Sequence, residues 1–171
     1  MKPFIEKEIR LTGRLTLKLV AEYLNKYTSL HKKRSINSTY FDTKDLDLLK
    51  NSIALRARTV NNRTFFELKI EKKQGLALEW QVKSEKKDQR LSNPSSWGLP
   101  NEKYLKSINV VPKSMKLKEK IDISYQSFFT NVERTSWKVK LREATFIISL
   151  DEGIISTVSY THLTLPTTPY V

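Results

Sequence analysis

The stretch Phe4-Ile5-Glu6-Lys7-Glu8-Ile9-Arg10-Leu11 near the start of the chain alternates charged and apolar residues. Successive side chains of a β-strand point to opposite faces, so Glu6, Glu8 and Arg10 share one face of the predicted strand. An interior wall that contacts a metal ion and a polyanion needs such a row of two carboxylates and a guanidinium. Taken alone, however, this motif is more often a solvated strand face, so the remaining sequence has to decide.

Composition restricts the kinds of site that the chain can form. With 171 residues it is predicted to be one domain with its own core. It has no cysteine, which excludes disulfides, thiolate metal sites and cysteine nucleophiles. Its two histidines, His31 and His162, are too few for a histidine-rich metal site. Because it has neither a membrane-length apolar run nor an apolar signal segment, we expect a cytoplasmic protein that does not bind membranes.

The formal net charge of +13 favours a polyanionic partner such as nucleic acid, anionic lipid or polyphosphate. Part of this excess is an ordinary background of solvated surface lysines.

The pattern along the chain predicts an α+β fold. Period-two alternation dominates and is interrupted by a few segments with helical spacing. The predicted helices are residues 15–27, a short turn at 44–51, and 101–109, with a loop at 86–100. Further strands are predicted at residues 37–42, 52–60, 63–71, 76–85, 117–124, 128–140 and 145–151, with a turn at Glu152-Gly153. Antiparallel hairpins with charged faces favour an eight-stranded β-tunnel, or barrel, with peripheral helices.

Several of the predicted strands present charged side chains at a period of two. Burying these charges in a barrel is unfavourable unless they pair or bind a ligand, and a triphosphate with a divalent cation would supply the missing partners. The acidic candidates are Glu6, Glu8, Glu79 and Asp151, and the basic candidates are Arg10, Arg56, Arg58, Lys69, Arg134 and Lys138.

The order of these motifs resembles the CYTH family, also called triphosphate tunnel metalloenzymes. Glu6-x-Glu8-x-Arg10 is similar to the Glu-x-Glu-x-Lys signature of the family, and the resemblance covers about residues 4–156. The other matching segments are Tyr40-Phe41-Asp42-Thr43, Ala54-Leu55-Arg56-Ala57-Arg58, Glu67-Leu68-Lys69, residues 129–137 and residues 149–153. The last two segments most resemble the branch of bacterial inorganic triphosphatases.

This resemblance implies roles for the charged residues. Mg²⁺ or Mn²⁺ is the implied cofactor, and the implied substrate is tripolyphosphate or a nucleoside triphosphate. Glu6, Glu8, Glu79 and Asp151 would bind the metal. Arg10, Arg56, Arg58, Lys69, Arg134 and Lys138 would bind the substrate, and Glu6, Glu8, Lys69 and Arg134 are the candidate catalytic residues.

The sequence departs from the family pattern at three places. Arg10 replaces a lysine, and Gln81 stands where a second carboxylate of a Glu-x-Glu pair is expected. No late Glu-x-Glu strand follows Asp151. Residues 158–171 contain no Asp, Glu, Lys or Arg and resemble translated adapter sequence. We therefore expect a tunnel domain at residues 1–157 that lacks its last strand or strands, followed by a non-native tail at residues 158–171.

Three functions remain open from the sequence. Metal-dependent hydrolysis of a linear triphosphate, with inorganic tripolyphosphate as substrate, is the leading hypothesis. Cyclisation of ATP, as in class IV adenylate cyclases, uses the same kind of site. A noncatalytic module that binds polyphosphate or RNA would also explain the positive charge.

Overall fold

One antiparallel β-sheet of eight strands forms the frame of the computed structural model, which describes residues 1–8, 16–28, 31–84, 89–157 and 162–164. The strands are β1 (Phe4–Lys7), β2 (His31–Asp42), β3 (Ile53–Val60), β4 (Arg63–Lys73), β5 (Leu76–Lys83), β6 (Tyr125–Leu141), β7 (Ala144–Thr157) and β8 (His162–Thr164). Their order in the sheet is β1-β5-β4-β3-β2-β6-β7-β8.

Short helices pack beside this sheet. They are α1 (Leu17–Tyr27), α2 (Asp47–Lys50), α3 (Glu102–Ser107) and α4 (Leu117–Asp122), with two 3₁₀ turns at Gln89–Ser92 and Pro94–Ser96. Two helix starts follow directly from local sequence. The Thr16 side chain accepts a hydrogen bond from the Leu19 amide at 3.3 Å, and the Asn101 side chain accepts one from the Tyr104 amide at 2.9 Å.

The sheet is curled. In a flat sheet, β1 and β6 would lie five interstrand steps of about 4.8 Å apart. The pKa of Arg134 on β6 is nevertheless raised, first by hydrogen bonds to Asp151 and further by the charge of Glu8, which follows β1. This influence of Glu8 on Arg134 agrees with a sheet that bends to bring one face inward.

The curled sheet confirms the predicted antiparallel tunnel fold with few helices. Strands β1 and β8 are the two ends of the sheet order, and the described residues contain no ladder that joins them. Within the described residues the sheet is therefore an open half-barrel, consistent with the predicted lack of a last strand.

The outer, convex face of β3 and β4 carries the hydrophobic core. Leu55, Phe66 and Leu68 are fully buried there, and the Phe66 ring stacks on Trp97 with their centroids 4.6 Å apart. Burying one such side chain stabilises the fold by about 1.5–3 kcal/mol. Since the alternate residues of the same strands face the concave side, this apolar layer holds the charged rows in place.

The predicted strand at residues 117–124 is wrong, because this segment forms helix α4. Leu117 is buried and Ile121 packs against the same core. These two residues are four positions apart, which is the spacing of one helical face. Over this short segment the apolar residues fit both the period of two of a strand and the 3.6-residue period of a helix.

The predicted turn at Glu152-Gly153 is also wrong. Strand β7 runs through both residues, and the hairpin turns instead at Arg142, which has a φ of 52°. Gly153 lies opposite Val132 on β6. A Cβ atom on Gly153 would lie 2.1 Å from the Asn131 carbonyl oxygen, so glycine is needed for close approach of the two strands.

Strand β2 is longer than its predicted part at residues 37–42, since residues 31–36 also pair with β6. In the expected tail, residues 162–164 form β8 and pair with β7. The rest of that tail lies outside the described residues, so the expected non-native character stays a prediction. In the part of the chain that the structure covers, no helix is long and apolar enough to cross a membrane.

Candidate functional site

A cleft of about 220 Å³ opens on the concave face of the sheet. It combines carboxylates, cations and the backbone of the β4–β5 hairpin. The residues that line it are Glu6, Glu8, Tyr40, Leu49, Ser52, Ile53, Ala54, Arg56, Lys69, Glu71, Gly75, Leu76 and Ala77. Four residues predicted from the sequence, Glu6, Glu8, Arg56 and Lys69, are therefore brought together.

Strand register explains why these side chains meet. Arg56 on β3 lies opposite Glu67 on β4, which lies opposite Gln81 on β5. In the next row, Lys69 on β4 lies opposite Glu79 on β5. Residues in register share a face of the sheet, so these two rows form one charged surface at its centre.

Arg56 is only 8% exposed and is held from three sides. Its Nε donates to Glu67 at 2.5 Å, its Nη1 donates to the Tyr40 hydroxyl at 3.1 Å, and its Nη2 lies 3.9 Å from Glu79. Burial lowers the pKa of Arg56, but its interactions with Tyr40 and Glu67 outweigh burial and raise the pKa overall. A buried cation in fixed geometry is therefore present before any ligand binds.

Glu67 is the central acidic residue of the site, and the sequence analysis did not single it out. Its side chain is fully buried. One of its oxygens contacts Arg56 and also lies 3.3 Å from Arg58 Nε, while the other accepts a hydrogen bond from Gln81 at 2.7 Å. The sequence signals were that Glu67 begins the matching segment Glu67-Leu68-Lys69 and shares a strand face with Lys69.

A second acidic group lies beside Lys69. Lys69 forms an ion pair with Glu6 on β1. Burial raises the pKa of Glu79, and the nearby charges of Glu67 and Glu6 raise it further, while Arg56 and Lys69 act in the opposite direction. Glu6, Glu67 and Glu79 are therefore close enough to influence one another.

Glu8 reaches the cleft through a close backbone approach. Its amide donates to the Gly75 carbonyl oxygen at 2.8 Å. Gly75 has a φ of 76°, and a Cβ atom there would lie 2.3 Å from the Glu8 carbonyl oxygen. Glycine in the β4–β5 turn thus determines where Glu8 stands.

Arg134 and Asp151 face each other across β6 and β7. Arg134 Nε and Nη2 donate to the two oxygens of Asp151 at 2.6 Å each, which is the bidentate geometry of a strong ion pair. On its other side Arg134 lies opposite Arg34 of β2. The sequence analysis missed Arg34 because it did not predict a strand at residues 31–36.

The family model for the CYTH domain matches residues 5–165. The chain belongs to the CYTH domain family. The match continues into the segment predicted as a tail and includes β8.

Two solved structures resemble this CYTH domain. One is a proposed adenylate cyclase from Bacillus halodurans, with 23% identity and a TM-score of 0.58, covering 95% of this chain and 79% of the other. The other is a proposed adenylyl cyclase from Hippeastrum described as having a dominant triphosphatase activity, with 21% identity and a TM-score of 0.48, covering 90% of this chain and 73% of the other. No curated protein matches the chain.

Two predicted substrate-binding residues of the CYTH domain lie apart from the cleft or outside the described residues. Lys138 is exposed and lies opposite Ile147, four residues beyond Arg134 and past the end of the β2–β6 pairing. Arg10 lies outside the described residues. Their predicted roles in binding phosphate stay predictions.

The carboxylates of the CYTH domain do not form a protein-only metal cage within the described residues, where no group of three or more ligating side chains comes together. Mg²⁺ is commonly bound by one or two carboxylates together with substrate phosphates and water. Glu6 and Glu79 fit that lesser requirement, because Glu6 lines the cleft and its charge raises the pKa of the neighbouring Glu79. Asp151 is engaged by Arg134, away from these two residues in the sheet order.

Proposed function

We propose that this CYTH domain binds a linear triphosphate in the concave cleft and hydrolyses it, with inorganic tripolyphosphate as the substrate. The observation that carries the proposal is the buried, prearranged cation Arg56, with Arg58 and Lys69 beside it on the same face as the carboxylates Glu6 and Glu79. An apolar ligand would gain nothing from such a surface.

The cations account for binding. Guanidinium groups grip phosphate oxygens at two points, and a lysine adds a compact point charge. Arg56 and Arg58 would contact neighbouring phosphates, while Lys69 would exchange its ion pair with Glu6 for a phosphate oxygen. Arg134 would neutralise charge from the β6 side, where it faces Asp151.

The carboxylates account for the hydrolytic step. A water molecule attacks the terminal phosphorus, the bond to the bridging oxygen breaks, and phosphate and pyrophosphate leave. A divalent cation that arrives with the substrate would neutralise the developing charge. Glu6, Glu8 and Glu79 would hold that complex against the cations, and a carboxylate not bound to the cation would accept the proton of the water.

Phosphate release tests this proposal. The folded chain is incubated with tripolyphosphate, ATP and thiamine triphosphate, each with Mg²⁺, with Mn²⁺ and with a chelator. We expect release that depends on the divalent cation and is fastest with tripolyphosphate. A folded sample that releases no phosphate from any substrate contradicts the hydrolase. Formation of cyclic AMP and pyrophosphate from ATP would indicate the adenylate cyclase instead.

A noncatalytic binder of polyphosphate is the second candidate. It is favoured by the carboxylates that already pair with cations, Glu6 with Lys69 and Asp151 with Arg134. Such a protein would bind tripolyphosphate without turnover. Competition between tripolyphosphate and single-stranded RNA distinguishes binding in the cleft from binding to a general basic surface. RNA bound to surface lysines is displaced steeply by salt.

A further inference from the structure

Glu67 places a negative charge where the proposed function requires an anion to bind. Its side chain has no exposed surface, and it lies on β4 between Arg56 on β3 and Gln81 on β5. A buried carboxylate next to a phosphate site repels the ligand, so its presence there needs an explanation in terms of the residues it contacts.

We propose that Glu67 is a positioning residue that orients the guanidinium groups of Arg56 and Arg58 toward the substrate; this inference rests on the proposed function. Oε2 of Glu67 accepts a hydrogen bond from Arg56 Nε at 2.5 Å and lies at ion-pair distance, 3.3 Å, from Arg58 Nε, so one oxygen atom lies between two arginines. Its Oε1 accepts a hydrogen bond from Gln81 Nε2 at 2.7 Å, which fixes the carboxylate itself.

Contact at Nε leaves the terminal nitrogens of a guanidinium free for other acceptors. Arginine has five N–H donors in a rigid fork, and Nε carries one of them. Arg58 Nε is buried and makes no hydrogen bond within the described residues, so Glu67 holds this side chain, which is 21% exposed, by charge alone. The hydrogen bond from Arg56 and the ion pair with Arg58 limit the rotation of both guanidinium groups, and the terminal nitrogens of Arg56 also contact Tyr40 and Glu79.

Gln81 explains how the carboxylate is tolerated. It lies directly opposite Glu67, and a second carboxylate at that position would repel the first. The amide instead donates to Glu67, so the row holds one acid and one arginine, and Arg58 lies in the neighbouring row, opposite Phe65.

The variant Glu67→Gln separates two roles of Glu67, because repulsion of the ligand and positioning of the arginines predict opposite changes in affinity. If only the charge of Glu67 matters, its removal strengthens binding of an anion. If Glu67 positions the arginines, the variant weakens binding, by about tenfold for the loss of one charge-assisted hydrogen bond. The dissociation constant of tripolyphosphate is measured by calorimetry without divalent cations, so that only the contacts with the protein contribute.

Two further variants separate positioning from folding. Glu67→Asp keeps the charge but is one methylene too short to bridge both Nε atoms, and we expect the same loss of affinity. The exchange Glu67→Gln/Gln81→Glu keeps the net charge and the pair across β4 and β5, but moves the carboxylate one strand away from the arginines. We expect it to fold and to bind as weakly as Glu67→Gln. Glu133→Gln, an exposed residue on the convex face, controls for the charge change alone.

The inference would be overturned if Glu67→Gln bound tripolyphosphate as tightly as the wild type or more tightly, or if the exchange variant kept wild-type affinity. Failure of the wild-type chain to bind tripolyphosphate would instead refute the proposed function. In that case the Nε–Hε resonance of Arg56 still tests the anchoring. We expect this signal to be protected from solvent exchange in the wild type and to lose that protection in Glu67→Asp; an unchanged signal would contradict the positioning role.

Discussion

Lys69 on β4 forms an ion pair with Glu6 on β1, although β5 lies between these two strands. The pair crosses β5 near Ala77, which lies opposite Glu6 and is buried. A small side chain at that point leaves room for the crossing. The acidic and basic walls of the cleft therefore pair in the free protein, and a phosphate bound as proposed would replace Glu6 as the partner of Lys69.

Lys69→Ala removes the cation that is proposed to exchange Glu6 for a phosphate oxygen when the substrate binds. We expect kcat/KM for tripolyphosphate to fall about tenfold or more, since a charge-assisted contact is worth about 1.5–3 kcal/mol. Steady-state phosphate release measures the change. Lys103→Ala, on the exposed side of α3, is the matched control and should keep wild-type activity. Full activity in Lys69→Ala would remove this residue from the phosphate site.

Gly75→Ala tests the placement of Glu8. The new Cβ atom would lie 2.3 Å from the Glu8 carbonyl oxygen, so Glu8 must shift away from the cleft. We expect activity to require a higher concentration of Mg²⁺ or Mn²⁺, which a titration of the metal measures.

Gly98→Ala is the control for that experiment. Gly98 also has a positive φ, 70°, but a Cβ atom there meets nothing within 4 Å. It therefore carries similar backbone strain without moving Glu8. If both variants lose stability alike and neither changes the metal requirement, Glu8 has no part in metal binding.

Tyr40→Phe isolates the hydroxyl that accepts a hydrogen bond from Arg56. The ring still stacks on Phe128, with the centroids 4.4 Å apart, so packing is retained. We expect KM for tripolyphosphate to rise by about two- to tenfold with little change in kcat, because Arg56 loses one of its three contacts. A fall in kcat with constant KM would instead place the hydroxyl in the chemical step.

Asp47 links α2 to α4 outside the cleft, and its effect on stability depends on pH. Its pKa lies below the ordinary value of 3.8, first because of the hydrogen bond from Lys120 and then because of the one from Thr43. The unfolded chain therefore binds the proton more readily, so the stabilisation is complete above pH 3.8 and is lost as pH falls through the lowered pKa.

Asp47→Asn should accordingly lower the thermal midpoint near neutral pH, and the difference from the wild type should shrink in acid. Thermal unfolding of both proteins at about pH 7 and about pH 2 measures the difference between their midpoints at each pH. Asp45→Asn makes the same charge change at a neighbouring exposed residue. An equal loss in acid and at neutral pH would show that the ion pair with Lys120 is not the cause.

The two faces of the central strands could be predicted from the sequence. On β3 the period of two separates Leu55 from Arg56 without reference to any partner strand. Pairing depends on register, which the sequence did not specify. The contact of Glu67 with Arg56 and Gln81 could therefore not be predicted, although all three residues were assigned to strands.

Short segments were the least predictable. Leu117 and Ile121 satisfy the period of a strand and that of a helix, and only the core decides between them. Gly153 suggested a turn, but it is needed for close contact between β6 and β7. In both cases the local conformation is determined by contacts with residues that are distant in sequence.

Arg34 and Arg134 lie opposite each other on β2 and β6, and like charges in this arrangement repel, a repulsion that the pairing of Arg134 with Asp151 only partly offsets. A polyanion bound on the concave face would relieve that repulsion only in the folded chain. By mass action, a ligand at one hundred times its dissociation constant adds about 2.7 kcal/mol to folding stability. We therefore expect the cellular lifetime of this protein to follow the supply of its ligand, because proteases degrade mainly the unfolded fraction.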